Sequence, residues 1–235
     1  MRHYLIVDDN RAFAENVAEI VRDLGDEVAI AESGDEALAL AKDRRFDCVV
    51  TDMRMPFMGG AELVHKLRRI DPGVPAIVVT AYVGDDELLK AREEGLLAVL
   101  QKPLPVPRLL ELVQVARRDA LAVVVEDDVH MSDNLTEALR TRGFGTVTAT
   151  SVVETERLGP VRPFVALVDL HVPGGPNGEA MHKLREKFPA LPQLVVTAFH
   201  EDPPLPFEAI FVKPFDTGEL LGAVERLHDK AVAAR

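Results

Sequence analysis

Cysteine is close to absent. Cys48 stands alone in 235 residues, with no second thiol for a disulfide. It sits inside an apolar run, so it reads as a small buried hydrophobe in a reducing compartment. Positive charge is in deficit as well: 27 Lys and Arg face 39 Asp and Glu, a net charge of −12. That balance argues against direct nucleic-acid binding, because phosphate contacts need a basic surface. No apolar run approaches the ~20 residues of a membrane span, so no membrane insertion is expected. Met1-Arg2-His3 leads straight into a strand and no signal peptide is apparent, which makes a cytoplasmic location the expectation. What remains is ordinary for a soluble chain: 47% hydrophobic and 28% charged residues, enough for one large domain or two of usual size.

Within that composition two runs stand out. Asp47-Cys48-Val49-Val50-Thr51-Asp52 is followed at once by Met53-Arg54-Met55-Pro56, and Phe164-Val165-Ala166-Leu167-Val168-Asp169 by Leu170-His171-Val172-Pro173. Each is a short valine-rich stretch ending in a carboxylate, with a proline four positions on. That pattern is a buried strand of a parallel sheet, and the carboxyl ends of such strands are where open α/β sheets bind ligands.

Around the first run, Tyr4-Leu5-Ile6-Val7 is a strand closed by Asp8-Asp9-Asn10. Helical spacing over 12–24 ends at Gly25, and Val28-Ala29-Ile30-Ala31 is a second strand. Ser33 and Glu36 form a capping box for the next helix. After the Asp52 strand come a helix over 62–70 and the strand Ala76-Ile77-Val78-Val79-Thr80. A helix over 85–94 follows, then the strand Ala98-Val99-Leu100-Gln101, Lys102-Pro103 and a helix over 108–118. Arg68-Arg69 and Arg117-Arg118, near helix ends, are expected to be solvated. Strands alternating with helices give a doubly wound parallel sheet.

The remainder repeats this plan. Asp52 and Asp169 lie 117 positions apart (169 − 52), as do Thr80 and Thr197 (197 − 80). Val78-Val79-Thr80-Ala81 recurs as Val195-Val196-Thr197-Ala198, and His65-Lys66-Leu67-Arg68 as His182-Lys183-Leu184-Arg185. Repeats of this length are duplicated domains, not solenoid units. Domains over 1–118 and 122–235 are expected. From Thr197 to Lys213 there are only 16 positions (213 − 197), against 22 from Thr80 to Lys102 (102 − 80). The proline-rich stretch Glu201-Asp202-Pro203-Pro204-Leu205-Pro206 cannot be helical, so the second copy is expected to lack its fourth helix.

The chemistry follows from what gathers at one sheet edge. In the first copy these residues are Asp8, Asp9, Asp52, Thr80 and Lys102. Carboxylates this close need a cation, and hard oxygen donors without His or Cys select Mg²⁺ or Mn²⁺. A Lys and a Thr hydroxyl facing that metal can hold the oxygens of a transferring phosphoryl group. Asp52 can then act as nucleophile and become an aspartyl phosphate. His65 and His182 lie on polar helices and read as exposed residues rather than phosphorylated ones. His171 reads either as a loop residue or as one near enough to tune hydrolysis.

Taken as an ordered set, these motifs resemble the receiver domains of two-component response regulators, and the resemblance covers essentially the whole chain. The set comprises an acidic pair after the first strand, Asp-x-x-x-Pro after the third, Thr-Ala after the fourth and Lys-Pro after the fifth. The resemblance implies two flavodoxin-like (CheY-like) domains of strand order 2-1-3-4-5. It implies phosphoryl transfer from a sensor histidine kinase or histidine phosphotransfer protein to Asp52. Asp9 would be the main metal carboxylate, Asp8 would act mostly through water, and the backbone carbonyl of Arg54 would be a further ligand. Thr80 and Lys102 would sense the phosphoryl group and switch binding to a downstream protein target. Carried to the second copy, the metal positions are Glu126, Asp127, Asp169 and the His171 carbonyl, with Thr197, Lys213 and Asp169 as a second acceptor set. The family's aromatic switch position holds Val99 and Ile210, so aromatic signalling is not expected. The chain thus reads as a tandem receiver protein without an effector domain, an acceptor that catalyses only its own phosphorylation and dephosphorylation. A phosphorylation-independent scaffold with a pseudo-receiver second half is the alternative. A phosphatase ranks last, because its general-acid positions hold Arg54 and His171.

Overall fold

The computed structural model describes residues 1–71, 73–81, 95–159, 161–175, 177–199 and 202–234. The chain divides into two compact units, Met1–Asp119 and Ala120–Arg235. In the first unit the strands are β1 (His3–Val7), β2 (Glu27–Ala31), β3 (Cys48–Asp52), β4 (Ala76–Thr80) and β5 (Ala98–Gln101). Its described helices are α1 (Arg11–Arg22), α2 (Gly34–Asp43), α3 (Gly60–Ile70) and α4 (Val106–Val115). The helix expected over 85–94 lies outside the described residues.

The five strands are all parallel, in the order β2-β1-β3-β4-β5. Alternation along each strand splits the apolar residues between two faces. Tyr4 and Ile6 of β1 join Cys48 and Val50 of β3 under Val17 and Val21 of α1 and Leu109 and Leu112 of α4. Leu5, Val7 and Val49 point the other way, against Ala37 of α2 and Leu63 and Leu67 of α3. Coverage on both sides is why the strands read as unbroken apolar runs rather than as alternating ones.

The second unit repeats the design with β6 (Leu121–Val125), β7 (Gly145–Ala149), β8 (Val165–Val168), β9 (Gln193–Thr197) and β10 (Ala209–Val212). Its helices are α5 (Val129–Thr141), α6 (Val152–Arg157), α7 (Glu179–Lys187) and α8 (Thr217–Ala233). The sheet order is β7-β6-β8-β9-β10, the same 2-1-3-4-5 arrangement. Among the described residues between Thr197 and Ala209 there is no helix, as the run of prolines requires. Phe199 and Phe207 are left exposed there, as is Ile210 of β10.

Local signals act as the chemistry of their residues directs, with corrections. Ser33 Oγ accepts from the Glu36 amide at 3.3 Å, but Glu36 Oε2 accepts from Glu32, one residue earlier than a capping box places it. Ser151 and Glu154 do the same, with Glu154 reaching the Thr150 amide. The helix expected over 62–70 begins at Gly60, and the one expected over 108–118 ends at Val115. Two of the arginines expected in solvent are structural clips instead. Arg68 is buried and donates to the carbonyls of Val74 and Gly95. Arg118, past the end of α4, forks onto both oxygens of Asp71 at 2.7 and 2.6 Å and also donates to the Phe46 carbonyl. Each satisfies loop carbonyls that no regular ladder reaches.

Candidate functional site

Parallel strands place every strand-to-helix junction at one edge of the sheet, and the first unit's polar residues collect there. Asp8 follows β1, its amide continuing the ladder to the Ala31 carbonyl at 3.2 Å. Its Oδ1 accepts from the Asn10 amide at 2.9 Å, and Asn10 in turn caps α1 through the Phe13 amide. Asp52 is the last residue of β3, paired in register with Val79 of β4. Thr80 ends β4 and is buried, and its carbonyl accepts the Lys102 amide at 2.7 Å. The exit of β5 is thereby tied to the exit of β4.

Lys102 closes the group. Its Nζ lies 3.2 Å from Asp8 Oδ2 and 3.1 Å from Asp52 Oδ1. Asp9, exposed, completes a set in which one carboxylate oxygen each of Asp8, Asp9 and Asp52 lies within 4.8 Å of the others. Burial pushes the Asp52 carboxyl above its ordinary range; Lys102 pulls it back and the Asp8 charge pushes it further up. For Lys102 burial works against the charged form, but the bonds and charges of Asp52 and Asp8 outweigh it and its pKa rises. The ammonium therefore stays charged and partly neutralises a site that holds excess negative charge.

Gly60 lets this edge close. A Cβ there would run into the Asp52 carbonyl oxygen and sit 3.0 Å from the Met53 Cα. No side chain fits where α3 starts against the end of β3.

The second unit assembles the corresponding residues. Lys213 Nζ lies 2.6 Å from Glu126 Oε2 and 2.7 Å from Asp169 Oδ2. Glu126, Asp127 and Asp169 likewise offer oxygens within 4.8 Å of one another. The Lys213 amide is bonded to the Thr197 carbonyl at 2.8 Å, and Thr197 Oγ1 accepts from the Phe199 amide. Burial raises the Glu126 carboxyl, against the pull of Lys213. Asp169 Oδ1 accepts the His171 amide at 3.0 Å, and the His171 ring meets Phe199 edge-on at 4.7 Å. Arg54 and His171 stand two residues past the two aspartates, in the loops that lead to α3 and α7.

One neighbour of the site escaped sequence reasoning. The Lys102 ammonium lies 4.6 Å from the centre of the Phe13 ring, a cation–π distance. Phe13 had only the signal of an apolar helix position, which assigns it to packing; indeed it also packs against the core.

Both sites are all-oxygen donor sets beside a lysine, with no imidazole or thiol within the group, and they fit a hard divalent cation such as Mg²⁺ or Mn²⁺. Among the described residues no helix is long and apolar enough to cross a membrane.

Comparison with known proteins agrees in kind. Residues 4–114 match the family described as response regulator receiver domain. The chain is 70% identical over 228 residues to a response regulator receiver protein of Anaeromyxobacter sp. (strain Fw109-5), covering 97% of this chain and 96% of that one. It is 30% identical over 177 residues to the transcriptional regulatory protein ZraR of Escherichia coli O157:H7 but spans only 38% of that longer protein. Among solved structures it is similar to a CheY-like receiver domain protein of Methanospirillum hungatei JF-1. That match has 32% identity and a TM-score of 0.47, and it covers 48% of this chain and 91% of that one.

Proposed function

This chain belongs to the response regulator receiver family, and from that premise we propose that Asp52 accepts a phosphoryl group from a phosphohistidine. The donor is a sensor histidine kinase or a histidine phosphotransfer protein, and the reaction takes place in the cytoplasm. The spans 1–118 and 122–235, one within each unit, are both read as receiver domains, and Asp169 as a second acceptor. The output is a switched interaction with a downstream protein. The observation that carries this reading is Lys102 bridging Asp8 and Asp52, with Asp9 beside them, at the carboxyl edge of a parallel sheet.

In the step, an Asp52 carboxylate oxygen attacks phosphorus. The new O–P bond forms as the N–P bond to imidazole breaks, and the leaving imidazole takes up a proton. Asp8, Asp9, Asp52 and the Arg54 carbonyl would hold Mg²⁺ in the first unit; Glu126, Asp127, Asp169 and the His171 carbonyl would do so in the second. Such an ion, when bound, would supply positive charge against the negative charge of the incoming phosphoryl oxygens. Lys102 offers its ammonium and Thr80 its hydroxyl to those oxygens, orienting the group in line with Asp52. Attack of water on phosphorus then breaks the Asp52 O–P bond, releasing inorganic phosphate and returning the carboxylate, so the protein turns over only its own modification.

Treating the protein with acetyl phosphate and Mg²⁺ and mapping it by mass spectrometry tests this; the expected product is modified Asp52, absent from Asp52→Ala. An Asp52 that stays unmodified under those conditions overturns the reading. A scaffold role for the second unit is favoured by the exposed Phe199 and Phe207, in a stretch whose described residues form no helix, and by the exposed Ile210 of β10. Partner binding indifferent to Asp52→Ala would select it.

A further inference from the structure

The two sites hold their lysines differently in three respects. The first acidic position is Asp8 in one unit and Glu126 in the other, which is one methylene longer. The longer arm brings its oxygen to 2.6 Å from Lys213, and Asp169 sits at 2.7 Å, whereas Lys102 keeps 3.2 and 3.1 Å from Asp8 and Asp52. The third difference is the residue whose amide bonds to the cap of the following helix. It is Phe13 after Asn10 and Met131 after Asp128. Lys102 rests over the Phe13 ring at 4.6 Å; a methionine has no such face to offer a cation.

Charge-assisted bonds strengthen as they shorten into the 2.7–2.9 Å range. A cation entering the second site must therefore take Glu126 and Asp169 away from a lysine that holds both tightly. In the first site the lysine is held loosely and has the Phe13 ring as a second resting place when its carboxylates are claimed. We infer that Glu126 acts as a clamp that makes the second site the weaker divalent-cation site and Asp169 the slower acceptor, while Phe13 keeps the first site open. Glu126 is here a positioning residue, acting through Lys213. The inference rests on the acceptor reading above for its phosphoryl part, and on geometry alone for its metal part.

The test uses the full chain. Mn²⁺ binding is followed by electron paramagnetic resonance of the free ion, and acetyl phosphate labelling of Asp52 and Asp169 is timed separately by mass spectrometry. Two classes of Mn²⁺ site about tenfold apart in affinity are expected. Glu126→Asp, which gives the second site the first site's residue, should tighten the weaker class toward the stronger and speed labelling of Asp169. The reciprocal Asp8→Glu should weaken the tighter class and slow Asp52, and it serves if Glu126→Asp does not fold. Phe13→Leu should slow Asp52 while leaving Asp169 unchanged. Equal Mn²⁺ affinities in the wild type, or a weaker class that Glu126→Asp and a tighter class that Asp8→Glu leave unmoved, overturns the clamp. If neither aspartate is labelled, the acceptor reading fails, while the Mn²⁺ titration still decides the clamp.

Discussion

Replacing Lys102 with methionine removes one charge from the first site and keeps an unbranched side chain of similar length there. The cost can be worked from the contacts. Nζ lies 3.2 Å from Asp8 and 3.1 Å from Asp52, and the side chains of lysine and the two acids are 29%, 2% and 11% exposed. At an effective dielectric of about 20, each contact carries on the order of 5 kcal/mol of gross attraction. Most of that offsets the cost of taking charges out of water, and breaking a buried pair from one side costs about 3–5 kcal/mol net. The partial exposure of Lys102 places the expected loss at the lower end, about 3 kcal/mol. In urea this lowers the midpoint of the first unit's transition by about 1.5 M for an m-value of about 2 kcal/mol/M. Two further arms tie the loss to the site. Mg²⁺ at a hundredfold excess over its Kd adds about 2.7 kcal/mol to any species that binds it only when folded. In Lys102→Met the ion no longer competes with an ammonium, so at the Mg²⁺ concentration that is a hundredfold over the wild-type Kd its gain should exceed that of the wild type. Acid should also restore stability. A carboxyl whose folded pKa is raised, as burial raises that of Asp52, stabilises the fold below its unfolded pKa of about 3.9. That contribution is lost as pH rises through the folded value. Removing Lys102 takes away what pulls that value down, so the window in which acid helps extends upward. A metal-free loss under about 1 kcal/mol, or a Mg²⁺ gain no larger than the wild type's, would refute the reasoning.

The same structure sets other expectations. Arg118→Ala should destabilise the first unit by about 2 kcal/mol, because it strands a mostly buried Asp71. In a double-mutant cycle with Asp71→Ala, most of that loss should appear as coupling. Gly60→Ala should cost about 2 kcal/mol and slow acetyl phosphate labelling of Asp52, because the methyl displaces the end of β3; wild-type labelling would count against the close approach. Cys48 is fully buried and its thiol is pushed up to about 12, first by desolvation and then by Asp47. A thiol reagent at pH 8 should therefore modify the native protein only as fast as it unfolds.

Asp8, Asp52, Thr80 and Lys102 were legible in the sequence as one group because of a property of parallel sheets. Every strand leaves the sheet at the same edge, so the residue that follows each strand joins that edge however far apart the strands lie in the chain. Burial of both faces made the strands themselves easy to read, as short apolar runs stopped by Asp, Thr or Pro. Arg68 and Arg118 were misassigned for the opposite reason. Arg68 is held by the carbonyls of Val74 and Gly95, and a carbonyl has no signature in a sequence; Arg118 is held by Asp71, 47 positions away, and by the Phe46 carbonyl.

The contact between Lys102 and Phe13 marks where sequence reading ends. Periodicity turned the ring of Phe13 toward the sheet, and the strand exit put Lys102 at the edge. Whether the two meet depends on how far α1 is rotated and advanced over β1 and β2 and on where the exit of β5 carries the lysine, which is a matter of packing between residues 89 positions apart (102 − 13). The same holds for Glu126. Its identity showed an acid one methylene longer than Asp8, but whether that length is spent toward the metal or toward Lys213 is settled only by the position of the ammonium. Topology assembled both sites alike, and the contacts that distinguish them lie below its resolution. Differences between duplicated sites should therefore be sought in the reach and neighbours of shared residues before the motif itself.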